Sequence, residues 1–290
     1  MASKASKIFH LVDWHDLPAW QKDNEYILSG YRRVQNRWRG CFHSVWAYFH
    51  NETVNIHTHL WGALLFIYLT AGLHSTYIAR YETTTWKDAL VVSVFLLSAI
   101  YCLGASAFYH TVTCHSEKVA AQCHALDYSG IVILIVGSFY PSLYYGFFCN
   151  VPMQFFYISG ITLAGLGAAY VVLNPEYRKP AHRGARTAVF IGLGLFALFP
   201  ISHWAIIHGG VTLLVDMGYM WLVLSGLCYI VGALIYANRI PERFAPGKFD
   251  YFFASHQIFH CCVVAAALLH FVGVIQSMNY THSLSGSCDV

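Results

Sequence analysis

The chain has 290 residues, of which 57% are hydrophobic and only 11% charged, with a formal net charge of +3. Globular domains average about 25% charged residues, so the composition excludes an ordinary water-soluble enzyme. It points instead to a polytopic membrane protein, and its few basic residues lie in settings too apolar for nucleic-acid binding.

Residues 1–55 are polar, charged and aromatic, without the basic start and apolar core of a secretory signal, so the amino terminus is expected to be retained. From Leu17 to His50 the aromatics Trp20, Tyr26, Tyr31, Trp38, Phe42, Trp46 and Phe49 alternate with Arg32, Arg33, Arg37 and Arg39. Such a mixture suits a segment lying on anionic lipid or a cap packed under a helix bundle. About 20 apolar residues cross a bilayer. Seven stretches qualify, near 57–79, 87–111, 125–148, 152–173, 187–207, 213–237 and 252–276. Breaks rich in Gly, Pro and Asn separate several of them, as at Asn150-Val151-Pro152, Asn174-Pro175, His208-Gly209-Gly210 and Pro241 to Gly247. The expected architecture is all-α: a seven-helix bundle over residues 56–277, preceded by an amino-terminal segment (1–55) and followed by a short outer tail (278–290). The nine cysteines (41, 102, 114, 123, 149, 228, 261, 262 and 288) show no paired spacing and read as small packing residues. The tripeptide Asn279-Tyr280-Thr281 in the tail has the pattern of a glycosylation acceptor, a weak signal.

Loops on the cytoplasmic side are enriched in Lys and Arg. With the amino terminus inside, the inner segments hold Lys4, Lys7, Lys22, Arg32, Arg33, Arg37, Arg39, Lys118, Arg178, Lys179, Arg183, Arg186, Arg239, Arg243 and Lys248, and the outer ones only Arg80 and Lys87. The expected orientation is therefore amino terminus in the cytoplasm and carboxyl terminus outside, the reverse of a G-protein-coupled receptor, in a plasma or internal membrane.

Within these apolar helices lie Ser106-x-x-x-His110, Asp127 and His256-x-x-x-His260. Ionisable side chains at membrane depth are costly and mark function by default. All five fall toward the inner ends of their helices, and residues four apart share a helix face. His256 and His260 can thus present two nitrogens to one ion, with His110 supplying a third. Three imidazoles with a free position suit catalytic zinc; an interhelical hydrogen-bond network is the competing reading. Asp127 is either a fourth ligand or, in the closer analogy, the base that takes a proton from water at the metal. Ser106 offers a hydroxyl to that water or to a developing oxyanion. Glu52, Asn55 and His59 read first as caps and tethers at the start of the first span, and at most as groups standing behind the ligands. His115 and His124 are expected to be solvated, His203, His208 and His270 to lie toward the outer ends, and His10, His15, His43 and His50 to sit at a surface or interface.

The run Asn51-Glu52-Thr53-Val54-Asn55-Ile56-His57-Thr58-His59, the stretch from Ser106 through His110, the following Leu126-Asp127-Tyr128-Ser129-Gly130, and Ser255-His256-Gln257-Ile258-Phe259-His260 resemble the three signature motifs of the progestin and adipoQ receptor family. That family includes the adiponectin receptors and the haemolysin-III-like membrane proteins. The resemblance runs from about Leu17 to Gln276 and is nearest to the adiponectin-receptor branch, in its fungal and animal members. It implies a cytoplasmic amino terminus, zinc held by His110, His256 and His260, and Asp127 and Ser106 beside the zinc water. It further implies a part in lipid metabolism and in sterol or zinc homeostasis, with ceramidase-like activity attributed to adiponectin receptors. His57 departs from the tryptophan usual there.

Two classes of function follow. One is an intramembrane zinc hydrolase that cleaves the amide of a ceramide-like lipid entering sideways from the membrane. The other is a receptor for an extracellular protein or steroid ligand, in which the zinc is structural. An open metal position beside a carboxylate favours hydrolysis, because a structural zinc site fills all four positions with protein groups.

Overall fold

A computed structural model describes residues 11–178, 180–208 and 217–284. Lys4, Lys7, His10, Lys179, Gly209, Gly210 and Cys288, together with residues 213–216 of the sixth expected span, lie outside the described residues. The regular structure of the described residues is helical apart from one antiparallel pair of two-residue strands, β1 (Leu11–Val12) and β2 (Tyr31–Arg32). The helices are α1 (Trp38–Ala47), α2 (Thr53–Thr76), α3 (Trp86–Val112), α4 (Glu117–Gly146), α5 (Val151–Leu173), α6 (Arg183–Leu195), α7 (Leu198–His208), α8 (Tyr219–Ala237) and α9 (Ser255–Leu284). Seven segments are long and apolar enough to span a membrane: Thr53–Arg80, Trp86–Val112, Glu117–Gly146, Val151–Leu173, Arg183–Ile207, Tyr219–Phe244 and Ser255–Ser283. The protein is an integral, multi-pass membrane protein.

α6 and α7 together make the fifth span. Their break coincides with Pro200, whose ring cannot accommodate the carbonyl of Phe196 four residues earlier in a continuous helix. α4 begins at Glu117, eight residues before the expected start at 125, because its first two turns are polar (Glu117, Lys118, Gln122) and carry no apolar signal. His124 accordingly sits inside α4, half-buried and stacked between the rings of Tyr109 and Tyr128 rather than in a solvated loop. α9 likewise runs past 276 and takes in the first residues of the expected tail, Asn279-Tyr280-Thr281 among them. Its end is fixed by His282, whose Nε2 lies 2.8 Å from the buried Asp88 Oδ1 and whose Nδ1 lies 2.9 Å from Thr83 Oγ1. Asp88 also accepts from the Tyr145 hydroxyl (3.1 Å) and closes a capping box with Thr85 at the start of α3. Three helices are thereby tied at one end of the bundle. At that same end Cys149, in the turn between α4 and α5, is disulfide-bonded, which corrects its reading as a packing residue. Seven cysteines among the described residues are free.

At the core, α3 packs between α2 and α4, and α9 packs against α8 and α2. Small residues allow the close approach that helix association in lipid depends on. A Cβ added at Gly130 of α4 would stand 2.9 Å from the Cys102 Cα on α3, a backbone atom that can move only if the two helices separate. Gly130→Ala is expected to cost roughly 1–3 kcal/mol by overpacking, read as a lower thermal midpoint in detergent. A midpoint equal to that of the unaltered chain would mean the α3–α4 contact is looser than described.

The amino-terminal segment packs beneath the bundle at the end opposite Cys149. Leu28 N and Ser29 Oγ donate to Asp250 (2.9 and 2.6 Å), Gln35 N and Asn36 N donate to the Cys114 and His115 carbonyls (2.8 and 2.9 Å), and Asn51 N donates to Gly30 O (2.9 Å). Trp38, Phe42, Trp46 and Phe49 remain exposed on α1 and just beyond it, so the cap also presents an aromatic face. His57, the departure from the family pattern, has its Nε2 3.0 Å from Val45 O and its ring edge-on to Trp46, joining α2 to α1.

Candidate metal centre

The capped end of the bundle gathers three helix termini, and the sequence explains each. α2 starts beneath Glu52, α3 ends just after His110, and α9 starts at Ser255, so that His256 and His260 occupy its first two turns. One ring nitrogen from each of His110, His256 and His260 lies within 4.8 Å of the other two. The ring centroids are 4.7–4.9 Å apart, and His110 and His260 are buried.

Two of the three rings, those of His110 and His260, have a protein partner at Nδ1. His110 Nδ1 is 2.7 Å from Glu52 Oε2, which also accepts from Asn55 Nδ2 at 2.6 Å. His260 Nδ1 is 3.1 Å from the Asn55 carbonyl. Both Nδ1 atoms then act as N–H donors, which leaves the Nε2 lone pairs for the centre. His110 Nε2 is buried and has no hydrogen-bond partner among the described residues. A buried nitrogen acceptor with nothing to accept from is costly, and a divalent cation shared with two further imidazoles is the chemistry that satisfies it. The donor set therefore fits a divalent metal ion of the kind that imidazoles bind.

Glu52 does not cap α2 through its side chain, as expected from sequence; its carboxylate turns to His110. Burial opposes its charge, but the neighbouring His110 ring prevails and holds it well below the usual carboxylate range. Asn55 holds the Glu52 carboxylate with its side chain and stands behind His260 with its carbonyl. His59 stacks on His260 with centroids 3.7 Å apart, and neither of its ring nitrogens has a hydrogen-bond partner among the described residues. A histidine ligand's remaining N–H partner tunes metal affinity by about 10–100-fold. Glu52→Gln, which can still accept from His110 but carries no charge, is expected to weaken metal binding by that amount in a competitive chelator titration. An unaltered affinity would remove Glu52 from the site.

Two buried groups outside the sequence-derived set hold these ends in place. Arg32 Nη1 donates to Thr111 O and Ser44 Oγ, both at 2.9 Å, and Nη2 donates to the His110 carbonyl and to Thr113 Oγ1. It thus caps the last turn of α3 with the favourable sign for a helix carboxyl end. Glu242, fully buried, accepts from Ser255 N at 2.7 Å, from the Ser255 hydroxyl and from Asn24 Nδ2 at 3.1 Å, which fixes the first turn of α9. His50 is also buried rather than interfacial; burial and then Arg32 push its pKa down to about 3, and its Nδ1 accepts from Glu52 N. Both Arg32 and Glu242 meet partners far away in the chain, and no local pattern announces them.

Asp127 and Ser106 are buried on the same side of the cluster, the Ser106 hydroxyl against the Asp127 carboxyl and the carboxyl within electrostatic reach of His110. Both line a cavity of about 390 Å³ that also reaches His256 and His260. Its wall follows α4 through Ile131, Ile135, Ser138 and Ser142 to Phe147 just beyond its carboxyl end and is completed by α6 to α9. Asp127 to Phe147 spans 20 residues, roughly 30 Å of helix. The metal candidates thus lie at one end of a long, predominantly apolar chamber, whose lining also includes Arg183, Arg186 and His270. Of the remaining histidines, His270 Nε2 lies 2.9 Å from Ser138 O and His203 Nδ1 lies 2.9 Å from the Tyr157 hydroxyl. His115 is half-buried against Trp38, and His15 and His43 are exposed.

Residues 47–271 match the family model described as haemolysin-III related. The chain belongs to this family, that of the progestin and adipoQ receptors. It is 40% identical over 269 residues to the adiponectin receptor protein of Drosophila melanogaster, covering 92% of this chain and 59% of that one. It is 39% identical over 265 residues to progestin and adipoQ receptor-like protein 1 of Caenorhabditis elegans, covering 91% of this chain and 60% of that one. It is 37% identical over 282 residues to the ADIPOR-like receptor IZH2 of Saccharomyces cerevisiae, covering 97% and 88%. The chain therefore spans about three-fifths of the fly and nematode proteins and most of the yeast one. It is an adiponectin-receptor-like, seven-span membrane protein of the haemolysin-III-related family.

Proposed function

We propose that this family member is a zinc-dependent hydrolase of ceramide-like lipid amides, acting inside the bilayer at its cytoplasmic side. The observation that carries this reading is the continuity of the apolar chamber with the three histidines, Asp127 and Ser106. A site meant only to tie helices together has no need of a base or of an apolar space as long as an acyl chain. His110, His256 and His260 would hold the zinc, which supplies Lewis acidity toward an amide carbonyl and makes water more acidic. Asp127 takes the proton from the attacking water and returns it to the departing amine nitrogen. Ser106 orients the Asp127 carboxyl. The wall from Ile131 to Phe147 receives the acyl chain and excludes water from the polar end.

The amino terminus is assigned to the cytoplasm. Basic residues cluster at the histidine end, and the disulfide-bonded Cys149 lies at the other, which suits an oxidising outer side. Residues 1–55 then act as the inner cap and 56–277 as the membrane domain. Receptor action, which the relatives' names carry, is compatible with turnover if the released lipid is the signal.

The test is fatty-acid release from a panel of ceramides by purified protein of known zinc content, with and without prior removal of zinc by a chelator. Release that depends on zinc supports the hydrolase. No release at one zinc per chain overturns it in favour of a receptor with a structural metal.

A further inference from the structure

A second cavity, of about 530 Å³, opens at the histidine end between the amino-terminal cap, the start of α6 and the end of α8. Its character is opposite to that of the apolar chamber. Lys22, Arg183, Arg239 and Arg243 line it, facing two carboxylates among the described residues, Asp23 and Glu25. Asp23 is already engaged: its Oδ2 is 2.5 Å from Arg239 Nη2, and its backbone carbonyl accepts from the same nitrogen at 3.1 Å. Desolvation opposes the Asp23 charge, but Arg239 prevails and holds the carboxyl below its ordinary range, so this pair persists at neutral pH. Among the described lining residues the basic groups exceed the carboxylates by two, with the buried Glu242 also acting on Arg239 from behind.

Two guanidinium nitrogens beneath the cavity wall are also left without a partner among the described residues. Arg239 is 5% exposed, and its Nε–H is buried with no hydrogen-bond partner among the described residues; the same holds for the Nε–H of Arg183. Buried guanidinium donors left unmet are costly, and their planar forks match phosphate oxygens. Lys22 is kept near the cavity by Trp14, with Nζ 5.7 Å from its ring centroid, and Arg243 by Phe244, 5.3 Å from its ring centroid.

The cavity's level in the fold narrows the ligand. It lies where α6 begins and α8 ends, so it opens at the membrane surface. Phe244 and Phe253 at that same end are 73% and 71% exposed, as expected of rings seated among lipid headgroups. We propose that this cavity binds a phosphate monoester, the headgroup of an anionic phospholipid or a soluble phosphate ester of the same kind. A doubly charged phosphate balances the excess of two, and Arg183, which also lines the apolar chamber, places the bound group beside the candidate metal centre. The site stands independently of whether the metal centre turns over lipid.

The test uses the full chain in nonionic detergent. Calorimetric titrations are run with dioctanoyl phosphatidylinositol 4-phosphate, with inositol 1,4-bisphosphate as the same headgroup without tails, and with dioctanoyl phosphatidylcholine. Saturable binding of the phosphoinositide is expected, weaker or absent binding of phosphatidylcholine, and at least about tenfold weaker binding of the phosphoinositide in Lys22→Gln/Arg243→Gln. Both residues lie at the rim, so thermal midpoints close to that of the parent chain verify the fold; Lys87→Gln, at the opposite end, should bind as the parent does. Tighter binding of the lipid than of the tailless headgroup assigns the membrane as the source, and equal binding assigns a soluble ester. Absence of saturable binding by either phosphate probe, or equal affinity in the double variant, overturns the proposal.

Discussion

Asp127→Asn is expected to retain zinc at the parent level and to lose fatty-acid release by a factor of about 10²–10⁴, the usual contribution of a positioned general base. Asparagine has the same shape, fits the same buried position on α4 and can still meet the Ser106 hydroxyl, so the chamber and the histidine cluster should be undisturbed. What it lacks is the capacity to take up a proton. The metal should stay because the three imidazoles form a donor set without the carboxylate. Each alternative role has its own signature. If zinc falls together with activity, Asp127 is a fourth ligand; if both are unaffected, some other group accepts the proton. Ser106→Ala should lie between the parent and Asp127→Asn, since it removes only the hydroxyl that orients the carboxyl.

Much of this architecture could be read from the chain because lipid imposes a simple rule, apolar length, and all seven spans obey it. The departures occur where polar residues are helical for tertiary reasons. Glu117 to His124 look like a loop until Tyr109 and Tyr128 are seen to sandwich His124. Asn279 to His282 look like a tail until His282 is seen to dock on Asp88, 194 residues away in the chain. The candidate ligands were legible through the i, i+4 spacing of His256 and His260 and the depth of His110. Their supports were not. Arg32 counted as a positive charge for orientation and as part of the aromatic–basic segment, whereas it is buried against the carbonyl of His110. Glu242 lay in a presumed loop, whereas it fixes the first turn of α9. Such capping contacts depend on how the amino-terminal segment folds under the bundle, and neither hydropathy nor local spacing encodes that path.

His256→Ala carries the second large expectation: bound zinc should fall from about one per chain to near zero at zinc concentrations that saturate the parent. Behind that lies a choice between two accounts of the same cluster. In one, the three rings form a hydrogen-bond network that merely joins α3 to α9; in the other, they hold an ion. The network account leaves His110 Nε2 buried without a donor, because its neighbour Glu52 already engages Nδ1 and His260 commits its own Nδ1 to Asn55. An ion resolves the problem and adds a measurable linkage. A ligand that binds only the folded state at a thousand times its dissociation constant stabilises it by about 4 kcal/mol. Chelation should therefore lower the parent's thermal midpoint by several degrees and leave that of His256→Ala unmoved. His260→Ala should behave likewise, with an added loss of packing against His59. Zinc content at the parent level in the His256 variant would return the cluster to a hydrogen-bond network, and the hydrolase reading would fall with it, since Asp127 would then face no metal.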